Sequence, residues 1–165
     1  MPVNPTTPNV MTVVGEPYTM TENVLVPIDG SPLSIRALEH ALEKFRDAEI
    51  TVLHVVDLFE PTDVDGYESL YEPMIGSNEW EAMERETTEE LLGEAEETAA
   101  AYDREVATDS AIGDPQRLIP DYAEEESIDH VVMGVHGRDD PGRTLVGRVA
   151  ETVVSRSPVS VTVIR

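Results

Sequence analysis

Apolar residues cluster along the chain in five short runs, separated by four amphipathic segments. Most of the runs are nearly continuous in Val, Ile and Leu, as expected for strands buried on both faces of a sheet. The predicted strands cover 23–29, 49–57, 104–112, 128–137 and 159–165. The segments between them have helical spacing, and the predicted helices cover 33–47, 79–102, 113–127 and 144–157. Regular alternation of strand and helix predicts an α/β fold with an open five-stranded parallel sheet and helices on both faces.

The helix boundaries carry capping signals. Ser31 is a predicted N-cap with Pro32 in the first turn, and Asp114 and Pro115 repeat that pattern before the third helix. Pro120 is expected to shift the start of that helix or to kink it. The helical positions predicted to face the core are Ile35, Leu38, Leu42, Phe45, Met83, Leu91, Ala95, Ala99, Leu118, Ile119 and Tyr122.

Two stretches lack a sustained period. Residues 1–22 hold four prolines and many threonines, which predicts a flexible N-terminal tail before a single domain at 23–165. A natural start at Met20 is the alternative for this stretch. The stretch from Leu58 to about Asn78 mixes prolines and glycines with acidic and aromatic residues, which is typical of a loop or lid.

The charge of the chain narrows the range of partners. The formal net charge of its 165 residues is −23, and Lys44 is the only lysine. Such a surface repels nucleic acid and anionic membranes. Acidic residues with almost no lysine indicate a protein of a salt-adapted cell, where salt screens self-repulsion, although an ordinary acidic protein is the alternative.

Few features of the sequence indicate a cellular compartment. There is no cysteine, which excludes disulfides and thiolate chemistry. No apolar run approaches the length of a membrane span, and no signal-peptide pattern is evident, so we expect a cytoplasmic protein.

The junction after the fourth strand is the most informative candidate site. Gly134, Gly137 and Gly147 follow the spacing G-x2-G-x9-G, with the last glycine in the following predicted helix. Glycines let a backbone approach a ligand closely, and free N–H groups near a helix start attract anions. A tight structural turn explains the same spacing. The stretch is neither a GxGxxG fingerprint nor a Walker loop, since it has no phosphate-binding lysine.

Several ordered motifs resemble the universal stress protein family across residues 23–165. They are NVLVPIDGS, ITVLHVVD, HVVMGVHGR and VGRVAETVVSRSPVSVTVIR. The resemblance implies a Rossmann-like sheet of order 3-2-1-4-5 and a homodimer. One branch of the family binds ATP through G-x2-G-x9-G followed by Ser or Thr, whereas another branch lacks the motif and does not bind ATP.

The resemblance also implies roles for individual residues. Asp29 and Val55 would meet the adenine and ribose, and Pro27 and Met133 would line the base pocket. The residues around the ribose and phosphates would be Gly134, Gly137, Arg138, Gly147, Arg148 and Val149. For Asp29, a carboxylate at a strand end can accept hydrogen bonds from ribose hydroxyls, and helix capping together with Ser31 is the alternative.

Arg148 departs from the family pattern, because the expected residue after the last glycine is Ser or Thr. Its side chain either fills the space of the terminal phosphates or pairs with one of them. Asp139 and Asp140 would repel a triphosphate, whereas Arg138 and Arg143 would attract it. A Mg²⁺ ion bridging Asp140 and the phosphates would offset the repulsion.

Other groups of polar residues give weaker evidence of a functional site. His40, His54, His130 and His136 have no spacing suited to a metal and are interpreted as structural or solvent-facing, with His136 closest to the glycine loop. No nucleophile with a base stands out, and enzymatic activity is not expected.

The last strand would be a sheet edge rich in valine. It predicts a homodimer through residues 159–164.

The sequence therefore predicts a universal stress protein that binds ATP or another adenine nucleotide as a regulatory signal. One alternative is a family member that binds no nucleotide and acts through contacts with an unidentified protein. The other alternative is a weak ATP-hydrolysing enzyme of the same fold.

Overall fold

The computed structural model describes residues 21–57, 76–136 and 146–165. Its strands are β1 (Asn23–Ile28), β2 (Glu49–Val56), β3 (Ala107–Ile112), β4 (His130–Gly134) and β5 (Ser160–Ile164). The helices of the described ranges are α1 (Pro32–Lys44), α2 (Asn78–Ala101), α3 (Pro115–Glu125) and α4 (Arg148–Arg156).

The five strands form one parallel sheet in the order β3-β2-β1-β4-β5. This confirms the predicted fold class and strand order. Because β1 lies at the centre and β4 continues the sheet on its other side, the direction of winding reverses between β1 and β4.

Two core clusters cover the two faces of the sheet, because successive side chains of a strand point to opposite faces. Val24, Val26 and Ile28 of β1 pack on the side of α1 and α2, whereas Leu25 packs on the side of α3 and α4. Strands buried on both faces account for their nearly continuous apolar runs. The prediction of helices on both faces is confirmed.

The predicted caps are also confirmed. The Ser31 side chain accepts a hydrogen bond from the backbone N–H of Ser34, with Pro32 opening α1. Asp114 does the same for Gln116 at the start of α3. Ser77, which the sequence analysis did not identify as a cap, accepts from Trp80 N–H at the start of α2.

Some predicted core positions are wrong. Met83 is 48% exposed, because buried contacts of α2 begin only at Leu91 in the carboxyl-terminal half of the helix. Leu118 and Tyr122 are half-buried rather than buried, and Ile119 is the fully buried member of that trio. Ile35 and Phe45 are half-buried as well, but Phe45 packs against the core cluster on the side of α1 and α2, as predicted.

Pro120 shifts no helix start. Helix α3 begins at Pro115, and Pro120 lies inside it with its ring buried. Strand ends also differ by a few residues from the prediction: β3 begins at Ala107 instead of Arg104, and β4 ends at Gly134.

Parts of three predicted features lie outside the described residues. They are residues 1–20 of the predicted tail 1–22, residues 58–75 of the predicted loop from Leu58 to about Asn78, and residues 137–145 of the glycine motif.

Candidate functional site

The predicted site lies at the carboxyl edge of the sheet, between β1 and β4. Residues 24–25 of β1 pair with residues 130–131 of β4. On their outer sides, β1 stays paired with β2 as far as Ile28, and β4 stays paired with β5 as far as Gly134. The carboxyl halves of β1 and β4 therefore lie outside their shared ladder. Open parallel sheets bind ligands at such a point, where the strand order reverses.

The structure brings Pro27 and Met133, which were predicted to line the base pocket, to one face of this edge together with Val55, which was predicted to meet the adenine and ribose. Met133 of β4 is 5% exposed and belongs to the core cluster beneath α3 and α4. Val55 of β2 packs against the same cluster. Pro27 of β1 is half-buried and shares this face with Leu25 by strand alternation. All three side chains are apolar and come from three neighbouring strands, and those of Pro27 and Val55 are only half-buried.

Asp29 follows the last residue of β1 and lies in the turn that begins α1. Its Oδ1 accepts a hydrogen bond of 2.9 Å from the backbone N–H of Ser31. Ser31 in turn accepts at Oγ from the backbone N–H of Ser34, at 3.2 Å. The carboxylate is thus held at the carboxyl edge by the turn that caps α1. The capping role that the sequence offered as the alternative for Asp29 is present in the structure.

Gly134, the first glycine of the motif, makes a close approach to the first turn of α1. A Cβ atom at this position would lie 2.9 Å from Cβ of Leu33 and 3.1 Å from its carbonyl carbon. Any side chain would therefore displace α1 from the end of β4. Helix packing alone requires glycine here.

Gly147, the last glycine of the motif, touches the backbone just beyond β4. Its N–H donates to the carbonyl oxygen of Val135 at 2.7 Å, and a Cβ atom would lie 2.8 Å from that same oxygen. Val135 N–H in turn donates to Ile164 O of β5 at 2.8 Å. These contacts fix the start of α4 at the carboxyl end of β4.

The start of α4 presents backbone donors and a cation to this edge. Gly147 occupies the N-cap position and has no side chain that could cap the helix. The first N–H groups of a helix lack intrahelical acceptors and carry partial positive charge. Arg148 is the first residue of α4 and is exposed, whereas Val149 is half-buried against the core cluster beneath α3 and α4. The helix start therefore carries positive potential at this edge, and Arg148 adds a cation to its first turn.

Gly137 and Arg138 lie outside the described residues, as do Asp139, Asp140 and Arg143. Their predicted roles around the phosphates and a magnesium ion stay predictions.

Two histidines near this edge were assigned no role in the site from the sequence. His54 of β2 is 7% exposed, and its Nδ1 lies 3.0 Å from the carbonyl oxygen of Ile28. His136 follows β4, and a Cβ atom on Gly147 would lie 3.7 Å from its Nδ1, so its ring lies beside the start of α4. The signal for His54 was its position as the one polar ring within the apolar run of the second strand.

The described residues contain no group of three or more His, Cys, Asp or Glu side chains that could hold a metal ion. None of the helices in residues 21–57, 76–136 and 146–165 is long and apolar enough to cross a membrane.

Comparison with known proteins identifies the family. The model of the Universal stress protein family matches residues 20–165. The chain belongs to this family. The Universal stress protein MJ0577 of Methanocaldococcus jannaschii is 30% identical over 156 residues, which cover 88% of this chain and 96% of that protein.

Solved structures of family members share the fold. UspA from Lactobacillus plantarum superposes with a TM-score of 0.70 at 29% identity, over 87% of this chain and 97% of that chain. The structure of MJ0577 gives a TM-score of 0.71 at 25% identity, over 88% of this chain and 96% of that chain.

Two more distant structures share the fold and hold adenine nucleotides. One is a universal stress protein in complex with cAMP, with a TM-score of 0.58 and 22% identity over 87% of this chain and 97% of that chain. The other is a universal stress protein family protein from Arabidopsis thaliana with AMP bound, with a TM-score of 0.59 and 21% identity over 87% of this chain and 90% of that chain. Some members of the family therefore bind adenine nucleotides.

Proposed function

We propose that this protein binds ATP or a related adenine nucleotide at the carboxyl edge between β1 and β4, and that the bound nucleotide acts as a regulatory signal. The observation that carries the proposal is the convergence of Asp29 and the start of α4 on the edge where β1 and β4 are no longer paired. The cAMP and AMP bound by two relatives of the same fold support the ligand class.

The residues at this edge fit the parts of an adenine nucleotide. The half-buried apolar side chains of Pro27 and Val55, together with the buried Met133, suit a flat, largely apolar base. The Asp29 carboxylate, an acceptor of several hydrogen bonds, suits the ribose hydroxyls.

The phosphates would lie at the start of α4. Backbone N–H groups at a helix start bind phosphate through hydrogen bonds and the helix dipole. The exposed guanidinium of Arg148 can add a forked hydrogen bond to a phosphate. Gly137 and Arg138 stay predicted members of the phosphate site, and Mg²⁺ would accompany ATP.

Removing the charge of Asp29 tests the proposed binding site. Asp29→Asn keeps an oxygen that can accept from Ser31 N–H but removes the negative charge that strengthens bonds to ribose hydroxyls. Hydrogen bonds to charged groups contribute about 1.5–3 kcal/mol, so we expect Mg-ATP affinity to fall roughly 10- to 100-fold in calorimetric titration. Asp114→Asn is the matched control, because Asp114 caps α3 in a similar turn but takes no part in the proposed site.

Wild-type protein that carries no nucleotide when purified in high KCl, and that binds no Mg-ATP at millimolar concentration, would contradict the proposal. Equal loss of affinity in both aspartate variants would contradict the role of Asp29.

A second candidate function is regulation through protein contacts without a nucleotide. The packing roles of Gly134 and Gly147 favour it, because both glycines would be required even if no ligand bound. The same nucleotide titration separates the two candidates.

A further inference from the structure

His54 is a buried polar residue near the carboxyl end of β2, opposite Ile28 in the parallel ladder with β1. Its Nδ1 lies 3.0 Å from the carbonyl oxygen of Ile28. A carbonyl oxygen only accepts hydrogen bonds, so Nδ1 carries the proton and donates it. His54 therefore holds the carbonyl group of the last residue of β1.

This hydrogen bond acts on the residue that follows. Ile28 and Asp29 share one planar peptide unit, so holding the carbonyl oxygen of Ile28 also fixes the orientation of the Asp29 N–H on the opposite side. The Asp29 carboxylate accepts from the backbone N–H of Ser31 at 2.9 Å. The bond from His54 and the bond from Ser31 thus restrain Asp29 from the chain before it and the chain after it.

The end of β1 depends on β2 for support, because its ladder with β4 is short. The ladder between β1 and β4 joins residues 24–25 to residues 130–131, several residues before Asp29. On the crevice side, the end of β1 therefore lies beyond that ladder. The ladder with β2 reaches Ile28, and the His54 side chain adds a contact to the carbonyl group at that point.

We propose that His54 is a positioning residue for ligand binding: its hydrogen bond to Ile28 holds the carboxyl end of β1 so that Asp29 is placed for the nucleotide. This inference rests on the proposed function for its role in binding. Its structural half, the restraint of Asp29, is testable without any ligand.

Two substitutions at His54 distinguish the effect of its hydrogen bond from the effect of its side-chain volume. In His54→Asn, the side-chain Nδ2 can occupy about the position of the histidine Nδ1 and keep the bond to Ile28. His54→Leu retains bulk and removes the donor. We expect His54→Leu to weaken Mg-ATP binding at least about 10-fold and His54→Asn to stay within about threefold of wild type.

His130→Leu is the control for a general loss of stability. His130 also lies on a strand, and its Nε2 is 2.7 Å from Oγ1 of Thr162, but it is the first residue of β4 and lies away from the carboxyl edge. Its loss should lower thermal stability without changing nucleotide affinity. Equal losses of affinity in His54→Leu and His130→Leu, or in His54→Leu and His54→Asn, would overturn the proposal.

A double-mutant cycle tests whether His54 acts through Asp29. If it does, His54→Leu should cost much less affinity in an Asp29→Asn background than in the wild type. Additive effects of the two substitutions would contradict positioning through Asp29.

Amide hydrogen exchange at Ser31 gives the readout without ligand. The Ser31 N–H is bonded to Asp29, so its exchange should accelerate at least about 10-fold in His54→Leu and stay unchanged in His54→Asn. Unchanged exchange in His54→Leu would overturn the positioning role. If wild type binds no Mg-ATP while exchange responds as expected, the proposed function fails and the restraint of Asp29 stands.

Discussion

Arg148 is the residue at which this chain departs from the motif that its family resemblance implies, in which Ser or Thr follows the last glycine. It stands directly after Gly147, at the first position of α4, and its side chain is exposed. Exposure at the start of α4 favours pairing of this side chain with a phosphate over filling of the phosphate site.

Substitution of Arg148 decides between pairing and blocking. We expect Arg148→Ser to weaken Mg-ATP binding roughly 10-fold and to leave adenosine binding unchanged, because only the phosphates pair with the guanidinium. Titration with both ligands measures the difference. Arg156→Ser, at the last residue of the same helix, is the control. Tighter ATP binding by Arg148→Ser would show that the arginine blocks the site.

Tyr122 is the residue whose ionisation the fold changes most clearly among the described residues. Its hydroxyl donates to Oδ2 of Asp109 at 2.9 Å. Partial burial, then the hydrogen bond and negative charge of Asp109, and the charge of Glu126, raise the pKa of Tyr122 above its ordinary value of 10.0. The folded state thus favours the neutral phenol.

The raised pKa of Tyr122 predicts a pH dependence of stability. The stabilisation is fully present below the unfolded-state pKa of about 10 and is lost as the pH rises toward the higher folded-state pKa. At neutral pH, Tyr122→Phe should lower the free energy of unfolding by about 1 kcal/mol, and the gap to wild type should narrow above pH 10. Denaturant unfolding between pH 7 and 11 measures it. A gap that widens above pH 10 would contradict this assignment.

At the scale of elements, Arg104 links the end of α2 to the end of α1. Its guanidinium donates to the carbonyl oxygens of Leu42 at 3.1 Å, Phe45 at 2.9 Å and Ala48 at 2.6 Å. The last carbonyls of a helix lack intrahelical donors and carry partial negative charge. One cation therefore satisfies the end of α1 and the turn into β2.

Loss of this contact should destabilise the whole domain. We expect Arg104→Ala to lower the free energy of unfolding by about 2–3 kcal/mol, since three charged hydrogen bonds to partly buried carbonyls are lost. Arg46→Ala is the control, because Arg46 makes one exposed bond of 3.3 Å to Glu43 O and should cost less than about 0.5 kcal/mol. Chemical denaturation measures both, and equal effects would contradict the linking role.

Elements also show where local sequence was a sufficient guide. The caps at Ser31 and Asp114 were predictable because capping depends on neighbours three or fewer residues away. The stripe of α2 was predicted to bury Met83, but a helix of 24 residues extends beyond the buried contacts that begin at Leu91. Spacing along a helix does not reveal where its packing partner ends.

At the scale of the whole molecule, β5 forms one edge of the described sheet. It pairs with β4, and residues 161–164 are half-buried. An unpaired strand edge presents backbone donors and acceptors in register for another strand. A second copy of the chain joined through residues 159–164 stays our prediction for the assembly.

Light scattering in concentrated KCl tests the assembly, because salt screens the repulsion between two chains that each carry a formal charge of −23. We expect twice the chain mass of 18.2 kDa. Within residues 160–164, the N–H groups that point away from β4 should exchange more slowly as the protein concentration rises, because a second copy would bond to them. A monomeric mass at all concentrations would contradict the dimer.

The sequence by itself determined the fold class, the strand order through its family resemblance, the helix caps, and the set of residues that follow the strands. The fold class and the caps depend on local periodicity, on turn chemistry and on the alternation of strands and helices, whereas the strand order was implied only by the family resemblance. It also identified Gly134 and Gly147, the first and last glycines of the motif.

Only the tertiary structure decided what those glycines do, because their contacts come from residues distant in sequence. Gly134 meets Leu33 of α1, about one hundred positions earlier in the chain, and Gly147 closes onto the backbone beyond β4. The bond from His54 to Ile28 likewise exists only once β1 and β2 are paired. Close approach and pairing across strands are properties of the folded chain, and they place Asp29 at the carboxyl edge of the sheet between β1 and β4.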